Sequence, residues 1–227
     1  MKIGILGTGV VGQTLATALA GKGHSVMIGT RDPAGTLARE KGTPMTPVPF
    51  KAWLSANATV RLGTFAETAR FGEALINATS GGGALPALQA AGADALGDRI
   101  MLDVSNPLDF SRGFPPTLSV CNDDSLSEQL QRAFPRLRVV KTLNTVTAAV
   151  MVNPAAVNGG DHTLFVSGND AEAKATVTRW LGEWFGWKGV VDLGDITSAR
   201  GAEMVLPLWL RLMGVMGSPM FQFKIVR

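Results

Sequence analysis

Gly7, Gly9 and Gly12 stand in the run Gly7-Thr8-Gly9-Val10-Val11-Gly12. That spacing suits a backbone wrapping an anion. The first glycine permits a tight turn, the second lets the main chain approach a pyrophosphate, and the third lets the next helix lie close to the preceding strand. The helix N-terminus then offers unpaired N–H groups to the negative charge, with Thr8, Val10 and Val11 beside it. The plainer use of such glycines is a structural turn. About twenty residues on, where an acidic side chain would hold a ribose 2′-hydroxyl, the chain reads Gly29-Thr30-Arg31. A guanidinium fork beside a hydroxyl suits a phosphate, so the pattern favours NADP over NAD. Asp32 is expected to point along the following loop, and the bland alternative for Arg31 is a solvated cation.

Three further loops carry polar groups where predicted strands end: Ala78-Thr79-Ser80, Ser105-Asn106-Pro107 and Asn144-Thr145. The first is expected beside the cofactor ribose, and Asn144 and Thr145 near a nicotinamide amide, since they supply donors and acceptors. Each of these is also ordinary turn chemistry. Other chemistries are poorly served. Two histidines and one cysteine, Cys121, give no HExxH pattern and no thiolate cluster, so no metal site is expected. His24 falls at the wrong end of its strand for catalysis, and His162 lacks a ligand-spaced partner. No GxSxG elbow is present, and the chain has no tyrosine to act as an acid. A reaction that needs no protein acid or base fits this inventory. Hydride transfer between two bound redox groups is one, because positioning and water exclusion do most of the work.

The elements that must hold these loops alternate between short apolar runs and helical stretches, the pattern of an α/β fold with a mostly parallel sheet. The spacing predicts strands over Lys2–Leu6, Ser25–Gly29, Ala58–Leu62, Ala74–Ala78, Arg99–Val104 and Arg138–Leu143. Helices are expected over Val10–Lys22, Thr64–Phe71, Ala84–Ala91 and Ser125–Phe134, the last capped by Asp123 or Asp124. Gly81–Gly83 reads as a connection, and Pro44, Pro47 and Pro49 argue against a regular element between Gly42 and Phe50. Beyond residue 150 come a strand at Thr163–Ser167, a helix at Asp170–Trp184, a strand at Gly189–Leu193 and an apolar helix near Gly201–Gly217. The fold class is thus α/β: a Rossmann-type, doubly wound sheet over residues 1–150, then a small C-terminal helical or α+β extension over 151–227.

With 46% hydrophobic and 17% charged residues in 227, the chain can bury a core and is not a disordered segment. A net charge of +3 is weak ground for nucleic acid, and none is expected as a partner. The first twenty residues resemble a signal peptide in outline, but three glycines and the immediate next strand pattern argue against one. No later run has the length of a membrane span, and Pro207 and Arg211 interrupt the best candidate. A cytoplasmic location is expected. The apolar residues from Met204 to Met213 pack a core or, alternatively, let Met204, Leu208 and Met220 wall a pocket for a flat ring across a homodimer contact.

The opening Lys2–Gly12, the Gly29-Thr30-Arg31 step, Lys141-Thr142-Leu143-Asn144-Thr145 and the run Asp195–Arg200 together resemble the NADP-dependent coenzyme F420 reductase family. That group is similar to the reductase domain of membrane ferric reductases. The resemblance spans nearly the whole chain and implies hydride exchange between NADP(H) and coenzyme F420, in a dimer. It implies that Thr8, Val10, Val11, Thr30 and Arg31 hold NADP, with Ala78, Thr79 and Ser80 beside it and the deazaflavin near Asn144. The family tends to carry His-Thr where this chain has Asn144-Thr145, and an Ile-Pro step where it has Thr79-Ser80-Gly81. FMN or FAD is therefore an alternative acceptor. Two other functions stay open: reduction of a small carbonyl or imine, and NADP sensing without turnover.

Overall fold

The computed structural model describes residues 1–227. Its main sheet is built from β1 (Lys2–Leu6), β2 (Ser25–Thr30), β3 (Arg61–Thr64), β4 (Ala74–Asn77), β5 (Ile100–Asp103), β8 (Arg138–Thr142), β9 (Leu164–Ser167) and β10 (Val190–Asp192). A separate two-stranded ribbon pairs β6 (Leu108–Asp109) with β7 (Thr117–Leu118). The spatial order is β10-β9-β8-β5-β4-β1-β2-β3. All pairings in the main sheet are parallel except β8 with β9. The chain winds one way from β1 to β3 and returns to place β4 on the other side of β1. Such a reversal opens a crevice beyond the carboxyl ends of the strands.

Period-two alternation along each strand feeds two cores. Ile3, Ile5, Ile76, Leu102 and Val140 face the helices Val10–Gly21 and Ala171–Phe185, whose Leu15, Leu19, Val177 and Leu181 are fully buried. Leu6, Leu75, Met101 and Val139 face the other layer, meeting Ala84 and Leu88 of helix Gly81–Ala91 and Leu130 of helix Leu126–Ala133. No helix is long and apolar enough to cross a membrane.

Several boundaries differ from the sequence expectation, each for a local reason. The third strand lies at Arg61–Thr64 instead of Ala58–Leu62, and Thr64 caps the next helix reciprocally with Glu67. Gly81–Gly83 forms the first helical turn instead of a connection. A side chain at Gly81 would fall on the carbonyl of Asn106, so only glycine lets this helix end approach the segment after β5 so closely. The cap of Leu126–Ala133 is Ser125 and neither aspartate. Asp124 is drawn off by bidentate contacts at 2.9 and 2.8 Å from Arg132. The apolar C-terminal stretch is two helices, Ala199–Met204 and Leu206–Met216, with Pro207 near the start of the second. Two short helices, Pro33–Leu37 and Phe50–Ala56, lie where no element was foreseen. Residues 151–227 contribute β9 and β10 to the same sheet as the first 150.

Candidate functional site

The turn after β1 shows why its glycines stand where they do. Gly7 has φ +115°, and a Cβ there would sit 2.6 Å from the carbonyl oxygen of Ala78. A Cβ on Gly12 would collide with the carbonyl oxygen of Gly7, so the helix can approach the turn only with glycine there. A Cβ on Gly9 would meet nothing within 4 Å, because that position faces open space. Helix Val10–Gly21 has no side-chain cap and no acid in its first turn. Its first N–H groups therefore still lack partners and face that space. Gln13 steadies the loop by donating to the Thr8 carbonyl at 2.9 Å.

The space is a cleft of about 440 Å³ that brings together Gly7, Thr8, Gly9, Thr30, Arg31, Ala78, Thr79 and Ser80. Arg39 and Lys41 join them, with Thr36, Thr43 and Thr46. No aspartate or glutamate lines this cleft. Arg31, Arg39 and Lys41 enter none of the salt bridges, which leaves their charge available. Asp32 turns away to cap helix Pro33–Leu37, accepting from the Gly35 N–H at 3.0 Å. Thr30 and Thr36 share a buried hydroxyl contact of 2.9 Å that fixes the end of β2. Sequence reasoning missed Arg39 and Lys41. Their signal was two cations in a threonine- and proline-rich segment directly after Arg31.

A second cavity of about 750 Å³ adjoins the first and shares Gly9, Thr43, Ala78, Thr79 and Ser80 with it. Its remaining wall is largely apolar, with Val10, Val11, Met45, Val104, Leu108 and Phe110 beside Ser105 and Asn106. No titratable side chain lines it. Asn144 and Thr145 are buried and line neither cavity. Asn144 braces the edge from behind: its amide donates to Asn106 Oδ1 and to the Ala202 carbonyl, both at 2.9 Å. Asn106 answers by donating to the Asn144 carbonyl at 2.8 Å. Met204, Leu208 and Met220 are 38%, 53% and 43% exposed and also line neither cavity.

Beneath the shared edge lies a buried ionic cluster. Lys141 donates to Asp103 at 3.0 Å and to the Ser105 carbonyl at 2.6 Å, and its ammonium is 2.8 Å from Glu203. Burial pushes the Asp103 carboxyl up, but the Lys141 charge and the hydrogen bonds from Ser105 and Ser127 outweigh it and hold Asp103 below its ordinary value. Burial likewise pulls Lys141 down, and the charges of Asp103 and Glu203 overcome it and hold Lys141 above its ordinary value. Both groups are therefore ionised. The histidines are remote: His24 packs edge-on to Trp184, and His162 contacts the Pro154 carbonyl at 3.0 Å.

A family model described as NADP oxidoreductase, coenzyme F420-dependent, matches residues 2–107. A crystal structure described as a candidate F420-dependent NADP reductase from Arthrobacter sp. FB24 is 55% identical, with a TM-score of 0.95 over 100% of both chains. The metalloreductase STEAP3 of Rattus norvegicus is 29% identical over 212 residues, covering 92% of this chain and 38% of the relative. The chain thus spans well under half the length of that relative. An imine reductase from Streptomyces aurantiacus shares the fold alone, at 14% identity and a TM-score of 0.59 over 96% of this chain and 65% of the other.

Proposed function

The chain belongs to the coenzyme F420-dependent NADP oxidoreductase family, and we propose that it exchanges hydride between NADP(H) in the cationic cleft and F420 or a flavin in the adjoining apolar cavity. The observation that carries this reading is the junction of the two spaces, which share the edge Ala78-Thr79-Ser80. The residues fit the cofactor. The open side of Gly9 and the uncapped helix end form a cradle for a pyrophosphate. Arg31, Arg39 and Lys41 surround a position for a 2′-phosphate, with Thr30 at the end of β2. When bound, the cofactor supplies the nicotinamide ring that carries hydride.

The chain's own part is to bind, orient and exclude water. Val10, Val11, Val104 and Leu108 offer an apolar surface to a flat ring. No side chain there can give or take a proton near neutral pH, which favours direct transfer over reduction of a carbonyl or imine. We place the protein in the cytoplasm, a location that suits a single free cysteine. We also propose a homodimer, a state that would cover the exposed Leu208, Val215 and Met216.

The test is anaerobic oxidation of NADPH by purified protein, with F420, FMN or FAD offered separately. Rapid oxidation with F420 is the expected result. Turnover with FMN or FAD alone would keep the cofactor half and change the acceptor. Tight NADPH binding with no turnover on any of the three would remove the oxidoreductase reading of the second cavity.

A further inference from the structure

Asn77, Asp103 and Lys141 end three neighbouring strands and are paired in register, Asn77 with Asp103 and Asp103 with Lys141. They continue the Leu75–Met101–Val139 row two residues further, so alternation puts all three on the same face of the sheet. All are fully buried or within 1% of it. The row therefore runs beneath the edge shared by the two cavities and stops below Thr79.

Hydrogen-bond polarity passes along this row without ambiguity. Lys141 has only donors, and an ionised carboxylate has only acceptors. Asp103 Oδ1 accepts from Ser105 Oγ at 2.6 Å and from Asn77 Nδ2 at 2.8 Å, while Oδ2 accepts from Lys141 and Ser127. The Asn77 amide must then turn its nitrogen to Asp103 and its oxygen outward. That oxygen accepts from Thr79 Oγ1 at 2.7 Å and from the Thr79 N–H at 3.3 Å. The Thr79 hydroxyl proton thus points inward, and only the lone pairs of Oγ1 are left for a ligand. Ser105 is committed the same way: it donates to Asp103 and accepts from Asn77 Nδ2 at 3.3 Å. Glu203 anchors the far end by approaching Lys141 and accepting from the N–H groups of Leu126 and Ser127 at 2.8 and 3.2 Å.

We propose that Lys141 is a positioning residue which, through Asp103 and Asn77, makes Thr79 a hydrogen-bond acceptor and so selects a ligand that presents an N–H donor at this edge. Resting on the reading that a nicotinamide lies here, the donor is the NH2 of its carboxamide. This edge, in place of Asn144, then meets the amide.

The experiment compares three ligands by calorimetry: NADP+, its 3-acetylpyridine analogue, in which a methyl replaces the NH2, and 2′-phospho-ADP-ribose, which lacks the ring. The wild-type protein is expected to bind NADP+ about tenfold more tightly than the analogue, the worth of one hydrogen bond. In Asn77→Leu, which cuts the row from Thr79 and leaves Lys141 paired, the ratio should fall below about threefold. Thr79→Val should do the same. The neutral row Asp103→Asn, Lys141→Met, Glu203→Gln lets Thr79 and Ser105 turn over, and it too should lose the preference. The ring-free ligand should bind Asn77→Leu and the neutral row as it binds the wild type, which a general structural defect would not allow. Equal wild-type affinity for NADP+ and its analogue, or a ratio unmoved in Asn77→Leu, overturns the proposal. Wild-type affinity for 2′-phospho-ADP-ribose and its ratio to NADP+ report separately on the underlying reading: if the ring adds nothing, the nicotinamide does not sit at this edge at all.

Discussion

The two cavities share one edge and are lined by opposite chemistries. The first is rimmed by Arg31, Arg39 and Lys41 and floored by threonines and glycines. The second has valines, leucine, methionine and phenylalanine and no charge. The first can hold a phosphate by charge and direction, whereas the second can hold a ring by shape and burial alone. A small reductase needs both, because one ligand must be told from its near twin by a single phosphate while the other need only stack in register.

The largest effect should come from stripping the charge. Replacing Arg31, Arg39 and Lys41 together with alanine should raise the Kd of NADPH about 100-fold or more, since each charge-assisted contact is worth about 1.5–3 kcal/mol. The Kd of NADH, which lacks the phosphate, should stay within about threefold. Titration by tryptophan fluorescence reads both. If NADH weakens as much as NADPH, the cations support the loop and not the ligand.

The converse change attacks the apolar half. Leu108→Asp on the small ribbon puts a carboxylate into that wall and should raise the acceptor KM about tenfold, with the NADPH Kd unchanged. Steady-state kinetics beside direct binding separates the two. A weaker effect sharpens the comparison further. With no cation in the wall, the second cavity has nothing to hold an anionic tail, so trimming F420 to its tail-free deazaflavin should leave KM within about threefold. A much larger loss would mean that a charge outside the wall reaches the tail.

How far each half was legible in the sequence follows from the same difference. The glycine turn and Thr30-Arg31 were readable because fixed spacing along one strand–turn–helix unit sets their geometry. Arg39 and Lys41 come from a segment whose path depends on Asp32 capping a five-residue helix and on the Thr43–Thr46 bridge. No periodicity announces either. The apolar cavity draws on the segment Thr43–Met45, three strand ends and the β6 strand, so only the folded chain brings Met45, Val104 and Phe110 together. Met204, Leu208 and Met220 show the same limit, since an apolar stripe says that something is covered and not what covers it. The polar row left a fainter trace: Leu75-Ile76-Asn77, Met101-Leu102-Asp103 and Val139-Val140-Lys141 each end an apolar run on a polar residue. Register alone turns those three endings into one network.

The smallest effect concerns pH, and it sets the cleft apart from the frame that holds it. Neither cavity wall holds a carboxylate or an imidazole, so NADPH affinity should change little between about pH 7 and 9. Stability should not be flat in acid. The Arg132 hydrogen bonds hold Asp124 down at about 2, against an ordinary value of 3.8. A depressed carboxyl lends stability that is complete above its unfolded value and disappears as pH falls through its folded one. The Asp124 contribution is thus lost between 3.8 and about 2, and Asp103 adds to the same acid limb because it too is depressed. Lys141, raised from 10.5, acts in the opposite sense, contributing fully below that value and failing only as pH climbs through its raised one. Urea midpoints against pH should show a plateau from about 5 to 9 and a fall below about 4. Asp124→Asn should flatten the upper part of that fall by about 1 kcal/mol or less, given how exposed Arg132 is. The same variant should leave NADPH affinity untouched. If the acid limb does not move, the Asp124–Arg132 pair contributes nothing to the frame, and the other depressed carboxyls, Asp103 and Glu128 among them, carry the loss.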